Sequence, residues 1–231
     1  MILNLHRDIK VQKLTIGAER APLLVIDNFL SDPDKLVRRA TSRSFNAHSP
    51  YFPGIRTEVP LGYQQLFERD LKPLLFEYFG LRGTSFRFAM CHYSLITTSP
   101  SQLGFLQRIP HIDSVEGNAL ASVHYLFTRK LGGTAFYRHR QTGFEYVDRE
   151  REARYFRALE DEKSGPDAPP AEYIRGDTPL FERIGVQDGV FNRILIYRRN
   201  SLHSADLPIG FVPDPDPSSG RLSINSFIDL V

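Results

Sequence analysis

The sequence predicts a mainly β protein with an α+β layer at its N-terminus, and two observations carry this prediction. Helical patterns are confined to the first third and to one charged stretch, whereas the rest of the chain consists of short β-branched and aromatic runs. Glycine, proline, asparagine and aspartate separate these runs, as expected of turns between strands. The 231 residues suit a single domain, 1–231, with the N-terminal layer over 1–83 and a β core over 84–231.

The N-terminal layer is predicted to begin with two strands and continue with two helices. Residues 10–16 alternate between polar and apolar, and residues 23–26 form a short apolar run. Ser31 or Asp32 can cap a first helix that extends to about residue 43. A second helix is expected over residues 63–79, where large apolar residues favour one face. Pro73 lacks a backbone N–H, so we expect it to kink this helix or split it in two.

The β core is predicted to contain five strands and one insertion. The strands lie at residues 86–93, 119–128, 134–140, 190–198 and 222–230. A charged stretch at about 147–183 interrupts them, with a helical pattern over 149–161 followed by a cluster of turn-forming residues. We interpret it as an insertion between two sheet strands and a candidate mobile lid, because long surface insertions cost little closure entropy.

The composition excludes several functional classes. No apolar run approaches the roughly 20 residues that span a bilayer. The net charge of +2 is too small to indicate nucleic-acid binding, and we expect the basic clusters at 138–140 and 198–199 to be solvated edges. The first residues lack a secretory signal pattern, and the single cysteine, Cys91, excludes an internal disulfide and a multi-cysteine zinc site. We therefore expect a cytoplasmic protein.

The densest chemical signal is the triplet His111-Ile112-Asp113. Residues two apart on a strand point to the same side, so an imidazole and a carboxylate can face one point in space. One more histidine would complete a two-histidine, one-carboxylate site, which leaves open positions on iron(II). His203 is the favoured third ligand because it follows a strongly apolar strand and is flanked by small polar residues. The less favoured histidines are His124, His92, His139, His48 and His6.

A second polar element opens the last predicted strand, where Arg221 and Ser223 lie two residues apart. The guanidinium can hold a carboxylate through two hydrogen bonds, and the hydroxyl adds another donor. Taken alone, Arg221 is expected to pair on the surface with aspartates of the preceding loop. Its place after His203 instead indicates a dicarboxylate ligand.

The order of these motifs resembles the iron(II)- and 2-oxoglutarate-dependent oxygenase superfamily, particularly its prolyl-hydroxylase-like branch. The resemblance covers about residues 86–231 and implies a double-stranded β-helix, the cupin-like jelly roll. It also implies the roles of individual residues. The implied iron(II) ligands are His111, Asp113 and His203, and the implied contacts to the distal carboxylate of 2-oxoglutarate are Arg221, Ser223, Tyr125 and, as a second candidate, Tyr93.

The resemblance implies hydroxylation of a C–H bond in a small-molecule or peptide substrate, with succinate and carbon dioxide as co-products. Asp113 favours hydroxylation over halogenation, because halogenating relatives carry a small residue in its place. Two alternatives stay open: a cupin-type metal enzyme that does not use 2-oxoglutarate, and a non-catalytic jelly-roll binding module.

Residues outside the motifs are assigned to the surroundings of the metal. Tyr51, Phe52 and Arg56 lie in or next to a loop rich in aromatic residues and are expected to wall the substrate space. Gln107 and Arg108 precede the triplet and are candidates for orienting the imidazole of a ligand histidine.

Overall fold

The computed structural model describes residues 1–48 and 51–231, which fold into two antiparallel sheets and four α-helices. None of the helices in these ranges has the length and apolar character needed to cross a bilayer. The strands are β1 (Lys10–Ile16), β2 (Ala21–Asp27), β3 (Ala47–His48), β4 (Gly54–Glu58), β5 (Phe86–Ile96), β6 (Leu120–Tyr125), β7 (Gly133–His139), β8 (Phe181–Asp188), β9 (Ile194–Arg198), β10 (His203–Asp206) and β11 (Leu222–Leu230). The helices are α1 (Asp34–Thr41), α2 (Leu61–Leu66), α3 (Lys72–Phe79) and α4 (Glu152–Glu162).

The strands form a large sheet in the order β1-β2-β9-β6-β11-β5-β4-β3 and a small sheet in the order β10-β7-β8. Apolar side chains from both sheets pack together between them, including Phe136 of the small sheet and Tyr197 of the large one. This arrangement confirms the predicted mainly β jelly roll. The N-terminal layer adds strands to both edges of the large sheet and packs its helices against one face.

The two faces of the large sheet carry alternate residues of the same strands. On β11, Leu222, Ile224 and Ile228 belong to the apolar core that includes α1, α2 and α3, and we call this face the helix side. Arg221 and Phe227 lie on the opposite face, which we call the cavity side because both residues line the main cavity. The alternation follows from the period of two along a strand.

The predicted helix over 63–79 is split in two. A π-helical turn, Phe67–Leu71, separates α2 from α3, and Pro73 lies in the first turn of α3. The missing N–H of a proline is tolerated at that position, since first-turn N–H groups have no partner within the helix. The sequence therefore located the break, and the proline begins the new helix.

Other expectations need correction. The predicted strand over 190–198 starts only at Ile194, because Asn192 adopts a positive φ of 62° in a turn. Strands β8 and β10 were not predicted. The basic clusters are structural: Arg138 pairs with the buried Glu145 at 2.5 Å, and the side chain of Arg199 is only 11% exposed.

Candidate active site

The two predicted histidine ligands lie opposite each other on neighbouring segments. The sequence predicted a strand at His111, but this residue lies outside any regular strand. It forms an isolated antiparallel bridge with His203, the first residue of β10. Their backbones exchange hydrogen bonds of 2.9 and 3.0 Å, and their ring centroids are 4.5 Å apart. Side chains directly opposite in an antiparallel pair share one face, so the bridge brings the imidazoles together.

Asp113 completes the cluster from the same segment as His111. Its carboxylate oxygens lie 3.8 Å from Nε2 of His111 and 3.6 Å from Nε2 of His203. Arg199 fixes the backbone of Asp113, because its carbonyl accepts from the Asp113 amide at 2.8 Å and its Nη2 donates to the Asp113 carbonyl at 3.3 Å. One ligand atom from each of the three residues lies within 4.8 Å of the others.

The imidazole of His203 is oriented by a backbone carbonyl. Its Nδ1 lies 3.0 Å from the carbonyl oxygen of Ser201, which can only accept, so Nδ1 is the donor and Nε2 faces the Asp113 carboxylate at 3.6 Å. This orienting contact was not predicted. Arg108 does not serve this purpose, since its guanidinium donates to the carbonyl of Leu103, whereas Gln107 lines the cavity.

The electrostatics of the cluster suit a cation. Burial and the neighbouring His203 lower the pKa of His111 well below its ordinary value, which keeps this imidazole neutral. Burial raises the pKa of Asp113, against the opposing effects of His203, Arg199 and Arg56. A metal ion would supply the positive charge that a buried carboxylate needs. Two imidazole nitrogens and one carboxylate, with no thiolate, fit iron(II) with open coordination positions.

Arg221 lies buried in the same cavity, where the backbone fixes its head group. Its Nε and Nη2 donate to the carbonyls of Leu131 and Gly133 at 3.0 and 2.7 Å. Gly132 lies between these two carbonyls with a φ of +82°, and a Cβ there would lie 1.9 Å from the carbonyl oxygen of Asp206, so this turn requires glycine. Nη1 has no hydrogen-bond partner within residues 1–48 and 51–231, so one edge of the guanidinium is available to a ligand.

The other predicted cosubstrate residues on the cavity side surround Arg221. The guanidinium carbon of Arg221 lies 5.7 Å from the ring centroid of Tyr125, whose hydroxyl is 2.7 Å from Oγ1 of Thr134. Ser223 is buried, and its hydroxyl donates to Oδ1 of Asn225 at 2.9 Å. Of these side chains, Thr134, Asn225 and Arg221 line the cavity directly.

Tyr93 is not part of this group, which corrects its assignment. It pairs with Ile224 across β5 and β11 and lies buried in the helix-side core. His124 also points to the helix side, where it stacks on Tyr63 at 5.9 Å and its Nε2 contacts Oδ1 of Asn192 at 3.2 Å. Burial lowers the pKa of His124 to about 3, as expected of a neutral core histidine rather than a ligand.

The metal cluster and Arg221 open into one cavity of about 350 Å³. Tyr51, Phe52 and Arg56 line it, as predicted, from the N-terminal layer. The insertion closes another side with α4, which buries Tyr155 and Leu159 and is packed against the core. Sequence reasoning missed the cavity residue Asn225, although the alternation that begins at Arg221 and Ser223 extends to it.

The comparisons with known proteins agree with this architecture. A model of a family of unknown function, DUF6445, matches residues 7–228. The epimerase SnoN from nogalamycin biosynthesis, solved with Fe³⁺ and α-ketoglutarate, superposes with a TM-score of 0.51 at 14% identity, over 92% of this chain and 80% of SnoN. The non-heme α-ketoglutarate-dependent carbocyclase SnoK gives 0.51 at 11% identity, over 91% and 81%. These identities show a shared fold alone, and no curated protein matches the sequence.

Proposed function

We propose that this chain, which belongs to the family of unknown function DUF6445, is an iron(II)- and 2-oxoglutarate-dependent oxygenase. The observation that carries the proposal is a single cavity lined by a two-histidine, one-carboxylate cluster and by a buried arginine with a free edge. SnoN, which shares the fold, was solved with iron and α-ketoglutarate, and this supports the same pair of ligands here.

The metal would be held by His111, Asp113 and His203. When bound there, iron(II) supplies the oxidising chemistry in which dioxygen and 2-oxoglutarate are consumed and succinate and carbon dioxide are formed as the substrate is oxidised. The proposed outcome is hydroxylation of a C–H bond. SnoN and SnoK are an epimerase and a carbocyclase, so the fold does not fix this outcome and product analysis must test it.

The chain's own residues have separable tasks. Arg221 would bind the distal carboxylate of 2-oxoglutarate through Nη1. The hydrogen bonds to the carbonyls of Leu131 and Gly133 hold its guanidinium in a fixed position. Ser201 keeps His203 in the ligating tautomer. Side chains of α4 and Phe52 line the cavity and would limit the access of water to it, which would strengthen the electrostatic contacts inside.

Two alternatives of different classes each leave part of the cavity unexplained. A cupin-type metal enzyme that does not use 2-oxoglutarate has no need of Arg221, which is 5% exposed and forms no ion pair with any described residue. A non-catalytic binding module has no need of a complete ligand set. Burying an unpaired guanidinium is costly, so its presence in the cavity favours an anionic ligand.

The test is an anaerobic titration of the iron(II) protein with 2-oxoglutarate, followed by the visible charge-transfer band of the chelated 2-oxo acid. We expect the band in the wild type and an affinity for 2-oxoglutarate lowered about 10- to 100-fold in Arg221→Gln, as for the loss of a charge-assisted hydrogen bond. Arg129→Gln is the matched control, because Arg129 is an exposed arginine of the neighbouring loop.

The same proteins are then mixed with oxygen, and succinate is measured. No band and no succinate in the wild type would contradict the proposal and favour the enzyme that does not use 2-oxoglutarate. Absence of both iron(II) and 2-oxoglutarate binding would favour the binding module.

A further inference from the structure

Arg56 is a second cation in the cavity, and the cosubstrate does not account for it. Arg56 lies on β4 and lines the cavity, with its guanidinium carbon 4.0 Å from the ring centroid of Phe52. Its Nε is buried without a hydrogen-bond partner, and no ion pair to Arg56 occurs in the described ranges. Arg56 as a whole is half-buried, and a guanidinium nitrogen that is buried without a partner is costly unless a ligand satisfies it.

The register separates Arg56 from Arg221. Arg56 pairs with Ser94 of β5, and Ser94 pairs with Ser223 of β11. Arg56 is therefore two strands away from Ser223, which lies two residues after Arg221. Two strand spacings are roughly 10 Å. The two arginines therefore reach into the cavity from different strands of its wall.

The charges in the cavity leave Arg56 unbalanced. Asp113 is the single carboxylate among the described residues that line the cavity, and Arg56 and Arg221 are its two permanent cations. A ferrous ion and Arg221 together carry three positive charges, which Asp113 and doubly charged 2-oxoglutarate cancel. The charge of Arg56 then remains, and one further negative charge would balance it.

The rest of the cavity wall is largely apolar. Leu106 and Phe156 are exposed residues of this wall, whereas Phe52, Ile112 and Val123 are half-buried in it. A cavity of about 350 Å³ that also accommodates 2-oxoglutarate leaves room for a small group. The ligand that complements this space has an apolar body and a single negative charge.

From this arrangement, which rests on the proposed function, we infer that the prime substrate carries a carboxylate held by Arg56, attached to an apolar body that lies against the aromatic wall. A planar guanidinium binds a carboxylate through two parallel hydrogen bonds, and the contact with the Phe52 ring restricts the movement of the Arg56 guanidinium. Arg56 is thus a specificity-determining residue.

The test measures binding rather than turnover, with nickel-loaded protein saturated with 2-oxoglutarate and isothermal titration calorimetry. The probes are four apolar acids, each compared with its own carboxamide: octanoate, 3-phenylpropionate, N-acetyl-L-leucine and N-acetyl-L-phenylalanine. We expect at least one acid to bind about 10- to 100-fold more tightly than its amide. In Arg56→Gln this preference should fall to less than about threefold, whereas Arg56→Lys should retain part of it.

Two results would overturn the inference: no acid preferred over its amide in the wild type, or a preference that survives Arg56→Gln. Titration with 2-oxoglutarate alone distinguishes a failure of this inference from a failure of the proposed function. Arg56→Gln should leave its affinity within about threefold of the wild type, and a larger loss would make Arg56 a cosubstrate anchor instead. If the wild type does not bind 2-oxoglutarate, the proposed function fails, and the acid and amide pairs still decide the role of Arg56 on the nickel form alone.

Discussion

The two faces of the large sheet bury polar side chains in opposite ways, although alternate residues of the same strands build them. On the helix side, His124 and Tyr93 are enclosed by apolar and aromatic side chains, and Nδ1 of His124 and the Tyr93 hydroxyl have no hydrogen-bond partner among the residues described. On the cavity side, the charged groups of Arg221 and Arg56 face the cavity, and Nδ1 of His203, which also lines the cavity, contacts the carbonyl oxygen of Ser201.

The difference shows that burial alone does not identify a functional residue. His124 and His203 are both buried histidines, and His124 is the more deeply enclosed of the two. What distinguishes His203 is a fixed tautomer and a second imidazole and a carboxylate within reach of its Nε2. A polar group that faces a cavity together with other possible metal ligands is a ligand candidate, whereas one that faces a packed core without such neighbours is a structural residue.

The largest effect is expected when the carboxylate that lines the cavity, Asp113, is removed. Asp113→Ala should lower the affinity for nickel(II) by more than about 100-fold, because loss of a metal ligand should exceed the 10- to 100-fold loss typical of residues that only orient ligands. Isothermal titration calorimetry measures this directly. His124→Gln is the control on the other face and should keep the wild-type affinity. Equal losses in the two variants would break the distinction between the faces.

A smaller effect is expected from the acid sensitivity of the helix side. Burial lowers the pKa of His124 from 6.5 to about 3. Below pH 6.5, His124 is therefore protonated in the unfolded chain but stays neutral in the folded chain. Stability is therefore complete above pH 6.5 and falls with decreasing pH by about 1.4 kcal/mol per unit. Between pH 7.5 and 5.0 the free energy of unfolding should drop by about 2 kcal/mol from this residue.

Urea unfolding of the wild type and of His124→Gln at pH 7.5, 6.5 and 5.0 measures the effect. Glutamine does not titrate, and other groups contribute equally to both proteins, so the difference between the two curves isolates His124. Parallel pH dependences would show that His124 accepts a proton in the folded state and would contradict the account of the helix side.

Much of the fold could be predicted because its signals are local. The last strand was predicted with its observed bounds, Leu222–Leu230, since its apolar residues alternate with polar ones over most of its length and a turn-rich loop precedes it. The π-helical turn before α3, strand β10 and the bridge between His111 and His203 could not be predicted, because they depend on how distant segments pack. The apolar strand before His203 and the small polar residues around it were sufficient to select this histidine without that geometry.

The wrong assignment of Tyr93 has a specific cause. Its strand was predicted with the correct start but ends three residues later than expected, at Ile96. The face on which a residue lies depends on register, and a shift of one residue reverses it. Tyr93 pairs with Ile224, whereas its neighbour Ser94 pairs with Ser223 on the cavity side. Tyr125 pairs with Ser223 from the other neighbouring strand and therefore shares its face.

The smallest effect compares these two tyrosines. Tyr125→Phe should lower the free energy of unfolding by about 1 kcal/mol, because it removes a hydrogen bond between the sheets and leaves the buried hydroxyl of Thr134 without that partner. Tyr93→Phe should leave stability unchanged or raise it by up to about 1 kcal/mol, because it removes a buried hydroxyl that is already unpaired. Urea unfolding at pH 7.5 measures both changes, and titration of Tyr93→Phe with 2-oxoglutarate should give the wild-type affinity. A destabilised Tyr93→Phe variant with weakened 2-oxoglutarate binding would return Tyr93 to the cosubstrate site, which requires its side chain to reach the cavity side of β5.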